Sequence, residues 1–163
     1  MDLEQDLNLI AEQESLLQFS SFTSDDAWAI GTLLRHEALA RNAGMTFEIQ
    51  LAGRQLLLLT TIGAKADHLE WIRRKRNVTM RFVRSSYWMS LELELKAKPM
   101  PQRHEGLAFA DYAMHGGAFP ITLKGTGLVG SIIASGLHQR TDHALVVNAI
   151  ATHLHLDVPR LTL

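Results

Sequence analysis

The stretch Phe119-Pro120-Ile121-Thr122-Leu123-Lys124-Gly125-Thr126-Gly127-Leu128-Val129-Gly130-Ser131-Ile132-Ile133-Ala134-Ser135 decides the fold. Two β-rich runs flank Gly125-Thr126-Gly127, which predicts a tight hairpin with strands over 119–124 and 128–135. Inside it, Gly125 to Gly130 spells G-x-G-x-x-G. That spacing cradles a dinucleotide only where a strand precedes it and a helix opens within it. Here a strand follows, so nicotinamide-cofactor binding is not expected. Pairing Lys124 with Leu128 sets Gly117 opposite Ser135 and His115 opposite Leu137. The hairpin thus gathers His115-Gly116-Gly117 at one end with Ser135-Gly136-Leu137-His138 and Asp142-His143 at the other.

Upstream, Leu3, Leu7, Ile10 and Leu17 follow helical spacing and predict a first helix over about 2–17. Ser24 or Asp25 is placed to cap a second, whose apolar stripe is Ala27, Ile30, Gly31, Leu34 and Ala38. Met45, Phe47, Ile49 and Leu51 alternate with polar residues as in a half-buried strand, and Gln55 to Ile62 returns after a Gly53-Arg54 tip. Asp67 with Glu70 resembles a capping box for a third helix with Leu69, Ile72, Thr79 and Phe82 or Val83 inward. No breaker follows, and Tyr87 to Leu95 reads as helical continuation near Tyr87 with the rest open. Pro99 and Pro101 predict a non-helical linker, and Glu105 to Tyr112 a short helix. Thr141 or Asp142 begins the last helix, with Leu145, Val146, Ala149 and Ile150 inward. Hairpins separated by helices make this an α+β domain on an antiparallel sheet. The division is an N-terminal helical extension over 1–19 and a single domain over 20–158.

The hairpin ends carry the candidate binding residues: His115, Gly116, Gly117, Ser135, Gly136, His138, Asp142 and His143. Glycines admit close backbone approach by a ligand, a helix N-terminus offers free N–H groups to an anion, and imidazoles ligate metals or carry protons. The structural alternative is that the glycines make bulges and the histidines bond to backbone. No H-x-x-x-H or H-E-x-x-H pair occurs, so no metal centre is expected. His153 and His155, near a helix end, are read as structural.

Composition excludes more than it assigns. The 163 residues are 47% hydrophobic and 20% charged, with net charge −1, which suits one globular domain without a field driving it onto nucleic acid or anionic lipid. The absence of cysteine excludes disulfides, thiolate metal sites and a cysteine nucleophile. The first residues are acidic where a secretory signal is basic, and no apolar run nears the roughly 20 residues of a membrane span. A cytoplasmic location and no membrane contact are the expectation. Charge is nonetheless polarised. Residues 1–26 hold acids and no Lys or Arg, whereas Lys65 to Arg84 is basic, with Arg73-Arg74-Lys75-Arg76 at its centre. The acidic helix is a candidate partner for that basic helix, within the chain or between copies. No Ser-His-Asp constellation or paired-carboxylate pattern emerges.

His115 to Ile121, Gly127 to Leu137, Asp142-His143, Trp71 to Lys75 and Ser85-Ser86 together resemble the haem-degrading-domain family, which includes GlcG-like and HbpS-like proteins and the C-terminal domain of PduO-type adenosyltransferases. Tyr112 with His115 to Gly117 supplies the signature of its Tyr-x-x-His-Gly-Gly branch, and the likeness spans about residues 20–155. The resemblance implies a profilin-like, three-layer α/β/α arrangement with a five-stranded antiparallel sheet, assembled into homo-oligomers. The fifth strand would come from the region after Pro101. Some relatives bind or degrade haem, but the branch brings no settled activity and no haem ligand that maps onto a position here.

The leading expectation is therefore a homo-oligomeric binding protein whose Gly/His-lined pocket accepts haem, another tetrapyrrole or a small anion. For haem, an imidazole would ligate iron and Arg73 or Arg76 would neutralise propionates. The competing expectation is an assembly or interaction adaptor with no haem role. A third is an enzyme using His115 as acid or base.

Overall fold

The computed structural model describes residues 2–97 and 106–163. The elements are α1 (Leu3–Leu16), α2 (Ser24–Ala40), β1 (Thr46–Leu51), β2 (Arg54–Thr60), α3 (His68–Phe82), α4 (Ser86–Leu95), β3 (Ala118–Leu123), β4 (Gly127–Ser135) and α5 (Gln139–Leu154). The strands form one antiparallel sheet in the order β2-β1-β4-β3. Helices lie on both faces. α2 and α5 cover one, where Ile30, Leu34, Phe47, Ile132 and Ile150 share the main core. α3 covers the other, with Ile72 packed on Ala118 and Ile133. Among the described residues no helix is long and apolar enough to cross a membrane.

The α+β class, the antiparallel sheet and the α2 stripe follow the sequence. The five-stranded sheet does not: among the described residues there are four strands. At the outer margin of β3 the described residues supply a bridge at Phe19, whose N–H donates to Thr122 O and whose carbonyl accepts from Lys124 N–H, both at 2.9 Å. Residues 106–112 form turns rather than the expected helix. The Pro99–Pro101 linker lies outside the described residues.

The hairpin forms, with its register one residue away from the sequence expectation. Phe119 faces Ile132 and Ile121 faces Gly130; a bulge then sets Thr122 against Leu128, so Lys124 belongs to the turn. Gly117 consequently lies beside Ala134, whose N–H donates to Gly117 O at 2.8 Å, and not opposite Ser135. In β1 two of the polar residues are buried as well, Thr46 fully and Glu48 at 4% exposure. The cause is α3, which lies over that face and brings Arg76 onto the Glu48 carboxylate.

Helix ends differ from expectation where a neighbour supplies the better partner. Thr23, not Ser24 or Asp25, caps α2 in a reciprocal box with Asp26. Asp67 precedes α3 in helical conformation without a capping bond, because its carboxylate accepts from Trp71 Nε1 at 2.8 Å. The inward face of α3 is His68, Ile72, Lys75, Val78 and Thr79, whereas Leu69 and Val83 are exposed. Val83 adopts φ 57°, ending α3, and Ser85 Oγ accepts from Trp88 N–H to start α4, so Tyr87 to Leu95 belongs to a new helix. α5 is capped by His138, not by Thr141 or Asp142. α1 packs Leu7 and Ile10 on Tyr87 and Leu91 of α4. Its acids do not reach Arg73–Arg76 in this chain: Glu14 takes Arg84 and the Ser85 N–H, and Asp6 takes Arg140.

Candidate functional site

Where β4 ends and α5 begins, a cleft of about 290 Å³ opens. α3 contributes His68, Trp71 and Lys75; the turn before it adds Lys65 and Asp67; His115, Ser135, Gly136, Leu137, Gln139 and Asp142 complete the wall. The two chain ends that the hairpin argument brought together do converge here, although by a different register.

The convergence rests on the His-Gly-Gly segment. Gly117 has φ 127°, and a Cβ there would lie 2.3 Å from Ala134 O and 2.9 Å from Lys75 Nζ. A Cβ on Gly116 would lie 2.1 Å from Gln139 O, and the Gly116 N–H donates to Gln139 Oε1 at 3.1 Å. Both glycines are thus packed against β4 and α5, so the close approach they allow is made by the protein itself.

Beneath them sits a buried ion pair. Lys75 Nζ donates to Asp142 Oδ2 and to Ala134 O, each at 3.1 Å, and the two side chains are 4% and 2% exposed. Asp142 Oδ1 also accepts from Leu137 N–H at 3.0 Å. Desolvation pushes the Lys75 ammonium below its ordinary value against the pull of Asp142, and pushes the Asp142 carboxyl above its own against the pull of Lys75. A carboxylate of the protein therefore already occupies the backbone donors before α5 that an external anion would seek.

Around this pair the imidazoles are held neutral. His115 keeps an exposed side, yet desolvation by the walls, then Lys75 and Arg74, lower it below 6.5. Its ring meets Trp71 edge-on at 5.1 Å, and among the described residues its nitrogens make no hydrogen bond. His68 is buried and lowered by desolvation, then by Lys65 and Lys75; its Nδ1 has no partner among the described residues. Arg74 stacks between Trp71 and Phe109, 5.0 Å from each ring.

Other candidates stand elsewhere. His143 is fully buried between the Tyr87 and Phe119 rings, with Nε2 3.0 Å from Gln13 Oε1. His138 is exposed and caps α5, its Nδ1 accepting from Arg140 N–H. Arg73 is held by Glu70, Asp111 and the Ala110 carbonyl, and Arg76 by Glu48. His153 contacts Asp26 at 2.9 Å and His155 ends α5 in left-handed conformation. The site read from the sequence left out Lys65, Asp67, His68 and Gln139, and placed Trp71 and Lys75 only with the basic run and the family resemblance. The signal for three of them was present: positions 68, 71 and 75 share one helical face. Among the described residues no group of three or more His, Asp or Glu side chains is arranged to hold a metal ion.

Residues 22–151 match the family model described as "Haem degrading protein HbpS-like". The chain is 44% identical to a UPF0303 protein of Paraburkholderia phymatum over 163 residues, covering all of this chain and 98% of that one. The solved structure of Ybr137w superposes with a TM-score of 0.83 at 26% identity, covering 97% of this chain and 91% of that one. A PduOC structure solved as a complex with haem superposes with a TM-score of 0.69 at 15% identity, over 87% of this chain and 99% of that one, a likeness of fold.

Proposed function

Because this chain belongs to the HbpS-like family of haem-degrading proteins, we propose that it binds haem or a related tetrapyrrole at the mouth of the Lys65–Asp142 cleft. The observation that carries the reading is His115: an exposed imidazole, held neutral, with no hydrogen bond among the described residues and an indole at its side. Neutral imidazole is the form that ligates iron. The residues fit a haem in part. His115 would meet the iron, Trp71 would offer an apolar ring, and the exposed Lys65 would face a propionate. Bound haem would supply a redox-active iron.

The volume restricts the mode. At about 290 Å³ the cleft is at the small end of the roughly 300–1,000 Å³ common for drug-sized ligands. A tetrapyrrole would stay partly exposed, and a smaller molecule would be enclosed. Arg73 and Arg76 already hold carboxylates, so Lys65 replaces them in this reading.

Titrating haemin into the purified protein should shift and sharpen the Soret band to saturation. His115→Ala should weaken binding at least roughly tenfold, as loss of a metal-ligating contact does, while His138→Ala leaves it unchanged. An unmoved Soret band, or equal titrations for wild type and His115→Ala, sinks the reading and favours the interaction-adaptor alternative. The same reading takes the protein as cytoplasmic, and as a homo-oligomer with the family likeness as the support for assembly. Light scattering should give a mass that is a multiple of 18.2 kDa; a monomeric mass at all concentrations rejects that part.

A further inference from the structure

The floor of the cleft has chemistry that the haem reading does not use. Lys75 is a wall residue whose amine has an acid–base partner in contact, in a recess large enough for a few-carbon molecule. We infer that this recess is a carbonyl-binding site in which Lys75 Nζ forms an imine with a small aldehyde or ketone, with Asp142 as its proton acceptor and donor.

Three observations favour it. First, Asp142 Oδ2, at 3.1 Å from Nζ, is within reach of the proton that must leave the ammonium. Second, desolvation disfavours the ammonium, which is how proteins make lysines nucleophilic near neutral pH. Third, His68 lines the same recess with Nδ1 lacking a partner among the described residues, a polar atom that the fold leaves unsatisfied. The two imidazoles are neutral and the Lys75–Asp142 charges offset each other, which suits an uncharged carbonyl group better than a second anion.

The step balances within these groups. Asp142 takes one proton from the ammonium, and the Nζ lone pair forms the N–C bond as the carbonyl π pair moves to oxygen. That oxygen takes the proton back from Asp142, giving a carbinolamine. Asp142 then takes a second proton from nitrogen and passes it to the hydroxyl, which leaves as water as the nitrogen lone pair forms the C=N bond, so the product is the protonated imine beside the ionised Asp142 carboxylate. Ammonium plus carbonyl gives protonated imine plus water, and no oxidant or reductant is needed.

The test uses the unmodified full-length protein with propanal and cyanoborohydride, which reduces an imine to a stable secondary amine, followed by site-resolved mass spectrometry. With its ammonium disfavoured and Asp142 in contact, Lys75 should be propylated faster than the exposed Lys65, Lys96 and Lys124. Asp142→Asn removes the charge that favours the ammonium, so, if its circular dichroism matches wild type, a Lys75 rate that nonetheless falls while the exposed lysines are unchanged identifies Asp142 as the proton carrier, and a rate that rises rejects that role. Labelling confined to the exposed lysines, with Lys75 untouched in the wild-type protein, overturns the inference whether or not the variant folds. Because no haem is present, this result is separate from the Soret titration.

Discussion

Replacing Asp142 with alanine should lower the unfolding free energy by about 3–5 kcal/mol, the range for breaking a buried ion pair from one side. Three things happen together at this position. Lys75 Nζ keeps its contact with Ala134 O but loses its counter-charge, the Leu137 N–H loses its acceptor, and the Lys75 side chain is only 4% exposed. Desolvation of a single charge then dominates, since the attraction that offset it is gone. The cost should be largely conditional on Lys75. In the double variant Lys75→Met with Asp142→Leu, no buried charge remains, and replacing such pairs by apolar groups is commonly neutral or mildly stabilising. Urea unfolding of both single variants and the double variant decides it through the coupling energy. If Asp142→Ala costs under about 1 kcal/mol, or the two single effects simply add, the pair does not hold α3 to the α5 entry as described.

A second large effect concerns pH and His143. This imidazole is fully buried, and desolvation, then the nearby Arg140 charge, depress it to about 3 from 6.5. The unfolded chain protonates near 6.5 and the folded one only near 3, so between these values the unfolded state binds the additional proton. Stability is whole above about 6.5 and declines as pH falls through the window, at up to about 1.4 kcal/mol per pH unit, or about 4–5 kcal/mol across it. His143→Gln keeps a polar group facing Gln13 and cannot take up that proton. Its unfolding free energy should fall less steeply than wild type between pH 6.5 and 4, by nearly one proton's slope. Parallel pH dependences for the two proteins would show that His143 titrates normally.

What the sequence discloses and what it hides divide by distance along the chain. The β3–β4 hairpin and the α2 stripe are local patterns, and Gly125-Thr126-Gly127 or Ala27-Ile30-Leu34 suffices to reveal them. Glu48 reads as a solvent residue because its partner, Arg76, is 28 positions away, and Lys75 reads as a surface cation because Asp142 is 67 away. A charge whose burial depends on a remote counter-charge leaves no periodic trace. The hairpin register failed at the turn itself: the strands close at Leu123 and Gly127, a two-residue offset from the Lys124–Leu128 pairing that the bulge between Ile121 and Thr122 reduces to one. The α3–α4 break was invisible because Val83, a β-branched residue, takes the left-handed conformation where glycine is usual. Of the residues inferred from the hairpin, His115, Ser135, Gly136 and Asp142 line the cleft, while His143 became core because Tyr87 and Phe119 close over it.

The bridge made by Phe19 gives the sheet two unlike margins. On the β3 side a single residue of the α1–α2 connection acts as a gasket over the backbone of Thr122 and Lys124, whereas among the described residues β2 has no such bridge. Lateral growth by a foreign strand is therefore polar, with one seat sealed and one vacant. Any trimming of the chain past Phe19 would unseal the other side and turn a one-ended ribbon into a two-ended one.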